Sequence, residues 1–115
     1  MTTTIWHNPR CSKSRQTLAL LEERGISAAV RLYLDDAPSI TDVTEVINQL
    51  GIGPWELLRR GEKAFKELGL NKDTADEAVI AAMSANPILI ERPIVIHGGR
   101  AALGRPPESV LGLFD

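Results

Sequence analysis

An α/β fold that opens with a βαβ unit, continues through a run of helices and closes with a hairpin and a helix is predicted by three features of this 115-residue chain. The first is a short β-branched segment at the start, followed by a stretch free of Gly and Pro with leucines at helical spacing. The second is a middle third in which apolar residues recur at helical spacing between capping signals. The third is a pair of apolar arms around two adjacent glycines near the end. A βαβ unit normally makes a right-handed crossover between parallel strands, and a hairpin is antiparallel, so the central sheet is expected to be mixed.

The elements follow in order. Thr2 to Trp6 reads as a strand, ended by the turn signal His7-Asn8-Pro9. Cys11 to Arg24 reads as a helix carrying Leu18 and Leu21, with Gly25 just past its end. Ile26 to Leu34 alternates as a second strand, closed by Asp35-Asp36-Ala37-Pro38. Ser39 with Asp42 resembles a capping box ahead of Val43, Val46, Ile47 and Leu50. Pro54 starts a short helix through Leu57 and Leu58, and Phe65, Leu68 and Leu70 suggest another turn interrupted by Gly69. Thr74 with Glu77 starts a helix through Val79, Ile80 and Met83 that Asn86-Pro87 ends. Ile94–His97 and Arg100–Leu103 flank Gly98-Gly99, and Pro106-Pro107 precedes a final helix with Val110, Leu111 and Leu113. No repeat or linker interrupts this order, so residues 1–115 are expected to form a single domain.

Composition narrows the function. Hydrophobic residues make up 43% and charged residues 24%, as in ordinary globular chains. No apolar run approaches the ~20 residues of a membrane span, and the N-terminus lacks a signal-peptide pattern, so a cytoplasmic protein without a membrane partner is expected. A formal net charge of -2 argues against a nucleic-acid partner. The nine arginines outnumber the four lysines, which leaves local oxyanion binding open. One cysteine, Cys11, and two histidines, His7 and His97, make a metal site improbable and exclude an internal disulfide. If Cys11 does redox chemistry, the second thiol comes from another molecule.

Cys11 falls at a helix start after a strand, where unpaired amides and the helix dipole favour the thiolate. Arg10, Lys13 and Arg15 add positive potential, as His7 would if protonated. The competing reading is a small buried apolar cysteine. His7 is equally suited to hydrogen-bonding the loop, Ser12 and Ser14 to capping the helix or donating to a thiolate or bound anion, and His97 to the surface.

The strings His7-Asn8-Pro9-Arg10-Cys11-Ser12-Lys13-Ser14-Arg15, Leu57-Leu58-Arg59, Glu67-Leu68-Gly69-Leu70, Asn86-Pro87, Glu91-Arg92-Pro93-Ile94-Val95 and Gly104-Arg105-Pro106-Pro107-Glu108 together resemble the glutaredoxin-coupled arsenate reductases, nearly end to end. The resemblance implies a thioredoxin-like fold with a helical insertion. It implies Cys11 as nucleophile, with His7 favouring the thiolate and Ser14 near the sulfur. It further implies that Arg59, Arg92 and Arg105 hold arsenate or a similar oxyanion and its thiol ester, with Arg60 a bystander. Glutathione would serve as co-substrate with no bound cofactor, and glutaredoxin would reduce the mixed disulfide. Ser12-Lys13 and the chain end at Asp115 look like the short chromosomal branch. Related branches include glutathione-dependent thiol oxidoreductases without arsenate activity and Spx-type regulators, whose Cys-x-x-Cys switch is absent because Ser14 holds the fourth position. Thioredoxin-like folds carry a cis-proline facing the active cysteine, so the Arg92-Pro93 bond is expected to be cis.

Overall fold

The computed structural model describes residues 2–115, which sort into two compact units. One comprises residues 2–36 and 92–115; the other, Ala37–Glu91, is inserted in the sequence between its halves.

The first unit is built on four strands, β1 (Thr3–Trp6), β2 (Ala29–Arg31), β3 (Ile94–His97) and β4 (Arg100–Leu103), in the order β2-β1-β3-β4. β1 and β2 are parallel, while β1–β3 and β3–β4 are antiparallel, which gives the expected mixed sheet. The hairpin joining β3 to β4 has a two-residue loop with Gly98 at φ 57° and Gly99 at φ 79°. Two successive positive φ values give a turn whose twist matches the strands, and glycine adopts them without steric cost. Ile5 lies opposite Val95, and Val95 opposite Ala102, so the three share one face of the sheet. That face is covered by helix α1 (Ser12–Glu23) and a terminal 3₁₀ helix (Pro107–Phe114), with Leu21, Val110 and Leu113 completing the buried cluster.

Two elements differ from the sequence reading. β2 is three residues rather than nine: before it the Ile26 amide is held by the Leu21 carbonyl of α1 at 2.9 Å, and after it the amides of Asp35 and Asp36 both turn back to the Leu32 carbonyl at 2.9 Å and end the extended run. The C-terminal segment is 3₁₀ throughout. His97 is half-buried rather than exposed, since its Nδ1 bonds Thr3 Oγ1 at 2.8 Å and its ring packs on Phe114.

The second unit contains α2 (Ile40–Leu50), α3 (Pro54–Leu57), α4 (Lys63–Glu67), α5 (Asp76–Ala85) and a 3₁₀ turn, Pro87–Leu89. Ser39 and Asp42 form the predicted reciprocal capping box. The one predicted at Thr74 and Glu77 does not form, because Thr74 Oγ1 accepts the Asn71 amide at 2.9 Å and α5 starts after Ala75. Val43, Val46 and Ile47 of α2 and Val79 and Met83 of α5 are buried where these two helices pack. Among the described residues no helix is long and apolar enough to cross a membrane.

Candidate active site

The loop from β1 into α1 is fixed by a buried polar network centred on Asn8 and Ser14. Asn8 is 5% exposed and Ser14 fully buried, so their polar atoms need partners inside the protein. The Asn8 amide donates to Ser14 Oγ at 3.0 Å, and Asn8 Oδ1 accepts the Arg10 amide at 3.0 Å. The Asn8 carbonyl accepts the Cys11 amide at 3.0 Å. The short Asn side chain thus closes an Asx turn that delivers Cys11 to the helix start. His7 Nδ1 lies 2.6 Å from Ser14 Oγ, and the His7 amide donates to the Arg31 carbonyl on β2 at 2.9 Å. Sequence reasoning treated Asn8 as a turn residue only; the Asn-Pro step was the signal for its wider role.

Cys11 occupies the N-cap position of α1 in extended backbone geometry, and its side chain caps no amide of the helix. The residue is half-buried, which leaves the sulfur a route to solvent. Arg105 Nη2 donates toward Sγ at 3.6 Å, and Arg105 Nε donates to the Arg92 carbonyl at 2.7 Å. Burial pushes the Cys11 thiol up. The Ser14 amide, the Arg92 side chain, the Lys13 amide and the Arg92 charge together outweigh it and leave the thiol below its ordinary range. Burial and the nearby Arg15 guanidinium push the proton affinity of His7 down, which favours its neutral form. The positive charge at Cys11 comes from arginine.

The structure brings Cys11, Arg92 and Arg105 together and joins His7 to Ser14. Ser14 caps nothing in α1, since its hydroxyl is spent on the preceding loop. Arg59 belongs to the second unit, where its guanidinium holds Glu62 at 3.1 Å and Glu91 at 2.7 Å. Burial lowers its proton affinity, and the two carboxylates more than restore it. Arg60 lies over the Trp55 ring, 5.0 Å from its centre. The Arg92-Pro93 bond is cis, as expected, and Arg105-Pro106 is cis as well, which the sequence reading did not anticipate. Gly104, between the two, donates its amide to the Pro93 carbonyl at 2.9 Å and sits against Thr17 of α1. Among the described residues no cluster of three or more His, Cys, Asp or Glu side chains is placed to hold a metal ion.

Residues 6–113 match the model of the ArsC family. An arsenate reductase of Neisseria meningitidis serogroup A is 46% identical over 108 residues, covering 92% of this chain and 92% of that protein. One from Haemophilus influenzae is 44% identical over 116 residues, covering 99% and 100%. The solved structure of an arsenate reductase from Vibrio cholerae superposes with a TM-score of 0.95 at 47% identity, covering 98% of each chain. That likeness and the mixed four-stranded sheet bear out the thioredoxin-like α/β fold. With near end-to-end identity of this order and a family model spanning residues 6–113, the chain belongs to the ArsC family.

Proposed function

We propose that the protein reduces arsenate to arsenite through Cys11, with glutathione as the resolving thiol and glutaredoxin as the reductant of the mixed disulfide. The observation that carries this reading is a half-buried thiol at a helix start with Arg105 Nη2 3.6 Å from its sulfur and the Arg92 guanidinium lowering its proton affinity. A depressed thiol is present as the nucleophilic thiolate at neutral pH in greater amount than a free cysteine. Two guanidinium forks beside it suit a tetrahedral oxyanion, and they neutralise charge as the sulfur approaches arsenic.

In this scheme the Cys11 thiolate attacks arsenic and water leaves, giving a thiol ester. A glutathione thiol then attacks the Cys11 sulfur; the Cys11–glutathione disulfide forms as the S–As bond breaks, and arsenic keeps that electron pair and leaves as arsenite. Glutaredoxin reduces the mixed disulfide and returns the Cys11 thiol. The chain has no other cysteine, so an external thiol must resolve the first intermediate. The Ser14 hydroxyl and His7 shape the loop that presents the sulfur.

An NADPH-coupled assay with glutathione, glutathione reductase and glutaredoxin tests the reading. Arsenate-dependent oxidation is expected from the wild type and not from Cys11→Ser. Turnover sustained by thioredoxin alone would contradict the glutathione route. Disulfide reduction with no response to arsenate would replace it with a general glutathione-linked thiol oxidoreductase.

A further inference from the structure

We infer that a groove beside the Cys11 loop is the seat of the resolving thiol, and that its occupant is a short peptide thiol bearing free carboxylates and an ammonium group. This rests on the proposed function only for the role of an external thiol. The groove has a volume of about 360 Å³ and is walled by His7, Pro9 and Arg10 on the loop and by Leu32, Leu34 and Asp35 beyond β2. That volume lies within the ~300–1,000 Å³ of small-molecule sites.

Three properties of the walls select the occupant. Leu32 and Leu34 are 41% and 38% exposed, on a turn held by the Asp35 and Asp36 amides on the Leu32 carbonyl. They give an apolar wall for the body of a small peptide. Arg10 and Asp35 are exposed, and among the described residues neither has an ion-pair partner. They offer one cation for a carboxylate and one anion for an ammonium. Arg15 adds a second cation on the loop side, its Nη1 donating to the Pro9 carbonyl at 2.9 Å. Arg10 precedes Cys11 in the chain, and Asn8, whose carbonyl accepts the Cys11 amide at 3.0 Å, also lines the groove, so the groove borders the loop that carries the nucleophile. A larger groove beside α1, about 470 Å³, sets Glu23 and Glu108 against Lys13 and would repel a carboxylate-bearing thiol.

The test uses thiol–disulfide exchange on the full chain and needs no arsenate. The Cys11 thiolate attacks one sulfur of glutathione disulfide; the Cys11–glutathione bond forms, the original S–S bond breaks, and a glutathione thiolate leaves and takes a proton from solvent. Hydroxyethyl disulfide undergoes the same exchange without charged ends. Leu34→Glu, which sets an acid beside the bound carboxylates, should slow exchange with glutathione disulfide about tenfold, the scale of one charge-assisted contact, and leave hydroxyethyl disulfide unaffected. Asp35→Asn should act the same way, more weakly. S-methylglutathione, which has no free thiol, should compete only with glutathione disulfide and shift the amide resonances of residues 32–35. An unchanged ratio of the two exchange rates in both variants overturns the site, as do S-methylglutathione shifts along α1 instead. Loss of arsenate turnover with the exchange discrimination intact refutes the arsenate reading and leaves the thiol site standing.

Discussion

Adding one methyl group at Gly104 should loosen the junction that sets the arginines against Cys11. A Cβ there would overlap Thr17 Oγ1 and lie 2.6 Å from Pro93 Cγ and 3.1 Å from Thr17 Cγ2. Thr17 is fully buried on α1, and its hydroxyl is bonded to the Lys13 carbonyl at 2.8 Å, so it cannot swing aside. Pro93 is buried and follows Arg92 directly. Relief therefore requires α1 and the Arg92–Pro93 segment to move apart, the kind of overpacking that costs about 1–3 kcal/mol. Urea unfolding of Gly104→Ala should show that loss at unchanged m-value. The same movement draws guanidinium from Cys11, so the pH inflection of its alkylation by iodoacetamide should rise. Thr17→Ala removes two of the three crowded contacts. The double variant should then be more stable than the summed single losses predict by at least ~0.5 kcal/mol. Strict additivity, or a Gly104→Ala protein as stable as wild type, would refute the reasoning.

Wild-type alkylation should titrate below the ~8.5 of a free thiol, because Arg92 and the Ser14 and Lys13 amides outweigh burial at Cys11; an inflection at or above that value counts against a poised thiolate. Arg105→Lys should keep the melting temperature, since Arg105 is exposed, yet raise the alkylation inflection and cut arsenate kcat/KM about tenfold or more; full efficiency would remove it from the oxyanion site. Ser14→Ala strands the buried Asn8 amide and should cost about 1–3 kcal/mol in urea unfolding. His7 has a folded proton affinity below its unfolded one, so its contribution to stability is present above about pH 6.5 and is lost as pH falls through the depressed folded value; His7→Gln should flatten that fall in thermal unfolding between pH 7 and pH 5.

Local signals made most of the fold legible. The Ser39–Asp42 box, the Gly98-Gly99 turn and the helix after Cys11 depend on interactions within a few residues, which a sequence displays. The errors arose where a choice between local partners was decided by structure. Thr74 took the Asn71 amide instead of capping α5, and the turn at Leu32 cut β2 short although its alternation ran on. At the site, the β1–α1 loop placed Cys11, but contacts across about 90 residues, such as Arg105 to the sulfur, were accessible only through the family resemblance. The fit of Gly104 between Thr17 and Pro93 had no local signature, because glycine is common in loops for conformational reasons alone.

The lowered proton affinity of His7 favours its neutral form, and that divides the work at the site between charge and geometry. Ser14 Oγ has one proton to give and accepts the Asn8 amide. If His7 carries its proton on Nδ1, it donates to Ser14, and the serine proton is free for another acceptor. If the proton is on Nε2, the serine donates its only proton to Nδ1. The 2.6 Å contact is common to both tautomers. In either one the histidine adds no net positive charge, so its influence on the thiolate passes through the orientation of Ser14 and the loop that Ser14 anchors. Charge stabilisation falls to Arg92, with Arg105 donating to the same sulfur from the far end of the chain. Removing an arginine should therefore shift the thiol titration directly, whereas removing His7 acts on it only as far as the Asn8–Ser14 bond is disturbed.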